Sequence, residues 1–430
     1  MLNITPFKAL RYNPESTDLA SVLAPPYDVI SATEQAELYA QNPHNVVRLI
    51  LGLQHLEDTP TNNRYTRSKA DLEAWKKDGV LVQEETPGFY LYEHTYTLGG
   101  QTHSLKGMVA RMTLAPLDAG VILPHENTLS GPITDRLELT KACQCNFSQI
   151  FTLFSDEHNV FLKLTGEVFA SSPLYDVQTQ SGRYRIWKVG EASVISQLQQ
   201  FFKDRVLFIA DGHHRYTTAL AYQQYVKDNG LTDVDADSTM IFMSNLFDPG
   251  LQLYPTHRIC FDLPDFNEGH FLDLAHPYFN IESHPDLPSL EAAVAESGQH
   301  LKTIGVVFSA NRYLLKLKPA ADVSAFFPQE ASQTLRHLDV SILHKIILQG
   351  LLKISEEDIK NYTRLRYIKD AQDVYKAVKQ GDAQVGFILN PTKIEEMRDI
   401  SINKEKMPQK STYFYPKLIT GLVINSLRKD

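Results

Sequence analysis

The chain has 430 residues, 43% hydrophobic and 22% charged, long enough for two or three domains with cores of their own. Its 51 acidic residues outnumber 42 Lys and Arg, for a net charge of -9. That balance excludes general attraction to nucleic acid, because non-specific affinity comes from cations neutralising phosphate, so any anion site must be local.

In chain order, a turn at Ala24 to Asp28 leads to a predicted helix over Ala32 to Gln41 and another over Tyr65 to Lys77. Phe89 to Leu98 and Ser104 to Thr113 alternate with β character around Gly99-Gly100, the pattern of a hairpin. A helix is predicted near Asp135 to Cys143, a strand at Arg183 to Val189 and a helix at Val194 to Lys203. The apolar run Val206 to Ala210 then reads as a covered strand, followed by a helix from Tyr216 to Val226. Further strands are expected at Met240 to Leu246, Leu251 to Phe261 and Gln384 to Leu389, with a hairpin from Thr303 to Leu317. Helices are expected at Ser289 to Glu296, Val340 to Leu352 and Ala371 to Lys379, and a final one starting near Tyr415, with Pro416 in its first turn. Alternation of this kind means α/β or α+β.

Asp211, Gly212, His213, His214 and Arg215 fall at the handover from strand to helix. The first N–H groups of the helix and three potentially cationic side chains would converge there, which is anion-site geometry. Positive charge in a first helical turn opposes the dipole by roughly 0.3 to 1 kcal/mol per residue, so something must compensate. A bound phosphate or carboxylate would do so, with Gly212 allowing close backbone approach and Asp211 serving as N-cap, metal ligand or base. The bland reading is a capped helix start carrying solvated charges.

Other polar groups are less specific. Pro124, His125, Glu126, Asn127 and Thr128 follow a short apolar segment and lead to Asp135 and Arg136. Glu and His in such a turn suit general acid/base work, and ordinary capping explains them equally well. Pro25, Pro26, Tyr27 and Asp28 form a stiff segment whose Asp28 caps or projects. Lys410, Ser411, Thr412 and Lys417 surround three aromatics; the glycines of a phosphate-binding loop are missing, yet the lysine and hydroxyls suit phosphate oxygens or a metal. His257 and Arg258 add a cationic pair. Cys143, Cys145 and Cys260 are too few for a disulfide framework and complete no zinc set, which points to a reducing cytoplasm. No stretch approaches the 18 apolar residues of a membrane span, and the first residues lack a secretory pattern, so a soluble cytoplasmic protein is expected.

The blocks ITPFKALRYNP, APPYDVI, NPHNVVRLIL, PHENTLSGPITDRLEL, IADGHHRYTTAL, LYPTHR and MPQKSTYFYPKLITGLV, in that order, resemble the domain-of-unknown-function family 1015 over almost the whole chain. Around DGHHR that family is similar to the ParB/sulfiredoxin group, which includes free serine kinases. The resemblance implies a mixed sheet with a ParB/sulfiredoxin-like core and an additional α+β domain. The expected division is 1-235 carrying DGHHR, 236-395 as a second α+β region, and 396-430 packing back on the site.

It also implies phosphate handling at Asp211 to Arg215, in agreement with the dipole argument. The resulting expectation is a small-molecule kinase that moves a phosphoryl group from ATP, ADP or pyrophosphate, with Mg²⁺, to the hydroxyl of a free amino acid, L-serine above others. Catalytic candidates are Asp28, Glu126, Asp211, His213 and His214. Phosphate-binding candidates are Gly212, Arg215, Lys410, Ser411 and Thr412, with Lys410 expected beside Arg215. Substrate candidates are His125, Arg136, His257 and Arg258, and Asp211 is the candidate Mg²⁺ ligand. The alternative is a ParB-like nucleotide-binding or regulatory protein without kinase activity, although the charge and the lack of a helix-turn-helix argue against DNA. Sulfiredoxin-like reduction would require a reactive cysteine beside the His-Arg turn.

Overall fold

The computed structural model describes residues 1–429 and divides the chain into two compact units. The first comprises 1–124, 128–252 and the residues from 416 on; the second comprises 125–127 and 253–415. The division therefore falls after Gln252 rather than at 235, because the strand Ser238–Asn245 lies between Ile150–Phe154 and Gln101–Thr113 in the sheet of the first unit. The segment 396–430 does not stay together either, since the chain changes unit between Tyr415 and Pro416.

Among the described residues, the first unit holds a nine-stranded mixed sheet. Leu207–Asp211 runs parallel to Ile122–Leu123 and antiparallel to Ile150–Phe154, which is itself parallel to Ser238–Asn245. The long hairpin Phe89–Leu98 and Gln101–Thr113 continues the sheet, turning at two glycines with positive φ. Burial of Phe89, Met108, Ile209, Ile241 and Tyr216 joins sheet and helices in one core. A smaller sheet in the same unit sets Ala9–Tyr12 between Leu81–Gln83 and Ile424–Ser426. The expected mixed α/β architecture is present.

In the second unit an antiparallel sheet carries His257–Cys260 between Leu365–Ile368 and Val385–Ile388. The helices Leu287–Ser297 and Ala371–Gln380 bury Leu290, Val294, Val374 and Val378 against it. Two sequence expectations change here. The single strand expected from Leu251 to Phe261 is broken into Gln252–Tyr254 and His257–Cys260, interrupted at Pro255, whose missing N–H cannot serve a ladder. The final helix is absent: Tyr413–Tyr415 is a strand paired with Gln252–Tyr254, with Phe414 at 1% exposure and the flanking tyrosines half-buried, an alternation of period two.

Candidate anion site

In the first unit the chain leaves the sheet at Asp211 and enters the helix His213–Asp228 through Gly212, at φ 96°. The helix starts at His213, three residues earlier than expected, so His213, His214 and Arg215 occupy its first turn. Its N-cap residue, Gly212, brings no side chain to the first amides. Glycine is required at 212 for two reasons: the positive φ, and the Arg215 guanidinium folded back so closely that a Cβ would lie 3.0 Å from Arg215 Cζ.

Arg215 Nη2 donates to Asp211 Oδ2 at 2.9 Å, and Arg215 Nη1 donates to the carbonyl of Gln149. The Lys417 ammonium stands 3.5 Å from Asp211 Oδ1. Asp211 is thus neither cap nor free base; it is the counter-ion of two cations. Part of the dipole compensation expected from a ligand comes from this carboxylate.

The histidines behave differently from expectation. His214 Nε2 accepts a hydrogen bond from the backbone N–H of Leu129 at 3.0 Å, which requires a neutral ring and ties that nitrogen to the 129 turn. His213 is 7% exposed. Arg215 is the permanent cation of the motif, joined at Asp211 by Lys417 from a block the sequence grouped with Lys410.

Tyr27 and Arg136 belong to the same neighbourhood. The Arg136 guanidinium lies 4.0 Å from the centroid of the Tyr27 ring and donates from Nη1 to the Ile50 carbonyl at 2.6 Å. Burial first, and then the Asp28 charge, push the Tyr27 phenol up to about 12 against the opposing charges of Arg136 and Arg215, so it stays a donor at neutral pH. Asp28 itself is exposed. Tyr27, Arg136 and Arg215 line a cavity of about 60 Å³, room for a few waters or one phosphate group and not for a nucleotide. Cys145 lines it too, so the fold does bring a thiol to Arg215. Burial pushes that thiol up to about 12, opposite to what a nucleophile needs.

The second unit gathers the remaining candidates. Residues 125–127 belong to it, and His125 Nε2 bonds Thr412 Oγ1 at 2.8 Å while Glu126 Oε1 accepts from the Ser411 N–H at 3.2 Å. Arg258, fully buried, donates from Nη2 to the carbonyls of Lys410 at 3.1 Å and Gln409 at 3.3 Å, with its guanidinium 5.0 Å from the Tyr367 ring centroid. Burial lowers Arg258 to about 10, with the charges of Tyr367 and Glu126 opposing the fall. Lys410 is exposed with φ 56°, in the left-handed region. Thr392 Oγ1 donates to the Ser411 carbonyl, and Ser411 Oγ donates to the Pro408 carbonyl. The hydroxyls of Ser411 and Thr412 thus make bonds within this cluster. His257 Nδ1 accepts from the Leu389 N–H at 3.2 Å, and burial, followed by the charge of Arg258, lowers it to about 4, so it is a neutral structural histidine.

Lys417, Gln149 and Tyr27 were not among the sequence candidates. Only Lys417 carried a signal, as a cation within the closing block. Among the described residues no three His, Cys, Asp or Glu side chains come together as metal ligands, and Asp211 is engaged by two cations, so the geometry does not support it as a magnesium ligand. No helix among the described residues is long and apolar enough to cross a membrane.

The family described as "Protein of unknown function (DUF1015)" matches residues 4–341. A search of curated proteins gave no match. Among solved structures, a free serine kinase in complex with AMP is similar at TM-score 0.39 and 10% identity, over 75% of this chain and 91% of that one. A conserved hypothetical protein from Pyrococcus furiosus follows at TM-score 0.35 and 11% identity, over 74% and 95%. SbnI with a C-terminal truncation, from Staphylococcus aureus, is similar at TM-score 0.36 and 11% identity, over 73% and 86%.

Proposed function

From the premise that the chain belongs to the DUF1015 family, whose description assigns no activity, we propose that it is a small-molecule phosphotransferase acting on the hydroxyl of a free amino acid, L-serine above others. The observation that carries the reading is the start of the helix His213–Asp228, entered through Gly212, where Arg215 and Lys417 flank the carboxylate of Asp211. Phosphoryl transfer asks little covalent chemistry of a protein; it needs positioning and neutralisation of charge on the phosphoryl oxygens. The first helix amides with the guanidinium of Arg215 and the ammonium of Lys417 would supply both. The choice of L-serine rests on the resemblance of the DGHHR block to the free serine kinases.

In this reading Arg215 and Lys417 hold phosphate oxygens, and Asp211 keeps the two cations aligned. The protonated Tyr27 hydroxyl donates a hydrogen bond near them. Asp28, an exposed carboxylate whose charge acts on the neighbouring Tyr27, takes the proton from the acceptor hydroxyl. Magnesium, where used, enters with the donor phosphates, since it is commonly bound by one or two carboxylates plus substrate.

The test is incubation of the protein with L-serine, L-threonine or small polyols against ATP, ADP or pyrophosphate with Mg²⁺, followed by ³¹P NMR. A phosphomonoester product in any arm supports the reading. Tight nucleotide binding without product from any pair replaces it with a nucleotide-binding regulator.

A further inference from the structure

The helix His213–Asp228 carries two adjacent threonines that behave differently. Thr217 Oγ1 donates to the His213 carbonyl at 3.1 Å, the bond back to the preceding turn open to a threonine inside a helix. Thr218 makes no such bond. It is 3% exposed, and among the described residues its hydroxyl has no hydrogen-bond partner. One turn on, Tyr222 is 2% exposed, and its hydroxyl, although close to Gln144, completes no hydrogen bond either. Gln144 Oε1 already accepts from Arg428 Nε at 2.9 Å. Burial above all pushes the Tyr222 phenol up to about 12, so it remains a donor at neutral pH.

Both residues line the cavity of about 60 Å³ that also reaches Arg215. Arg215, Thr218, Ala219 and Tyr222 stand at i, i+3, i+4 and i+7, one face of the helix, with the small Ala219 between the two hydroxyl-bearing residues. The guanidinium groups at this cavity are already matched, Arg215 by Asp211 and Arg136 by Asp135. What it offers a ligand is therefore hydroxyl groups and apolar wall, the latter from Ile50, Leu139, Phe147 and Ile150. Buried hydroxyls without partners are costly and call for an occupant. Water satisfies the hydroxyls and not the apolar wall; a short carbon skeleton bearing polar groups satisfies both. The space holds roughly four to six waters, the bulk of a molecule such as glycerol or L-serine.

We propose that this cavity binds a compact alcohol carrying a second hydrogen-bonding group, held by the hydroxyls of Thr218 and Tyr222. That the alcohol is the phosphoryl acceptor rests on the phosphotransferase reading: its second group bonds Thr218 and Tyr222 while its reacting hydroxyl faces Arg215, on the same face of the helix. In that reaction the acceptor oxygen bonds phosphorus as the donor's bridging P–O bond breaks, and the hydroxyl proton passes to Asp28.

The test is a ligand-observed NMR titration of the full chain with L-serine and with glycerol, each alone, which separates an amino acid from a neutral polyol. Wild type binds at least one of them. Thr218→Val, which keeps the shape and removes the hydroxyl, weakens that binding by about ten-fold, with the melting temperature unchanged or raised. Thr218→Ser restores it, and Tyr222→Phe weakens it independently. No binding of either molecule to wild type overturns the cavity, as does equal affinity in wild type and Thr218→Val. Phosphorylated product from wild type, with KM unchanged in Thr218→Val, also overturns the cavity and leaves the phosphotransferase reading standing. Binding that Thr218→Val weakens, with no product from any donor, supports the cavity as a binding site and overturns that reading.

Discussion

Lys417 Nζ lies 3.5 Å from Asp211 Oδ1, so the closing block of the chain supplies a cation to the strand-to-helix turn. Arg215 holds the other oxygen of the same carboxylate. The helix start is therefore assembled from two distant stretches of sequence, with one carboxylate aligning two cations.

Substituting Lys417→Ala should weaken pyrophosphate binding by about 1.5 to 3 kcal/mol, the range for hydrogen bonds to charged groups. Stability should change by no more than about 1 kcal/mol, because the pair is only partly buried. Titration calorimetry and urea unfolding check the two halves. Equal losses in both would assign Lys417 a structural role.

Gly212→Ala should cost about 1 to 3 kcal/mol of stability, since the residue has φ 96° and its new Cβ meets the Arg215 guanidinium. It should also abolish anion binding, because Arg215 must move. Denaturant unfolding and pyrophosphate titration read these separately.

His214→Ala leaves the Leu129 N–H without its acceptor and should destabilise by roughly 1 to 3 kcal/mol. His214→Gln, which keeps a side-chain acceptor, should recover part of that loss. If His214 is instead the catalytic base, both variants lose turnover alike and neither loses stability.

The DGHHR junction was legible because an all-apolar run before a polar pentad allows few alternatives: Leu207 to Ala210 are buried and the helix follows. The hairpin at Gly99-Gly100 was legible for the same local reason. The state of His214 was not, since a hydrogen bond from Leu129 depends on tertiary placement. The strand Tyr413–Tyr415 was misread because Pro416 suits a first helical turn, while the alternation of half-buried tyrosines around buried Phe414 is only three residues long. The exchange of 125–127 into the second unit leaves no compositional mark at all.

Acid should destabilise the fold through three histidines that burial keeps neutral, His94, His257 and His344, the last lowered well below its usual range. His94 and His257 are each lowered from 6.5 to about 4, His94 stacked on Tyr184 with Nε2 donating to the Ser181 carbonyl. Between those values the unfolded chain binds a proton that the folded chain refuses, so stability is complete above pH 6.5 and falls as pH drops towards 4. The loss is up to roughly 3 kcal/mol per residue. Urea midpoints across pH 4 to 7 should slope accordingly, and His94→Gln with His257→Gln should make the slope shallower, with the contribution of His344 remaining. An unchanged slope would show that other groups set the acid limit.

The most direct measurement compares phosphoserine formation by wild type and Arg215→Ala under the same donor, L-serine and Mg²⁺, with thermal melting run in parallel. The account predicts product from wild type and at least a hundred-fold loss in the variant, with the fold retained. Equal rates from the two proteins would contradict it.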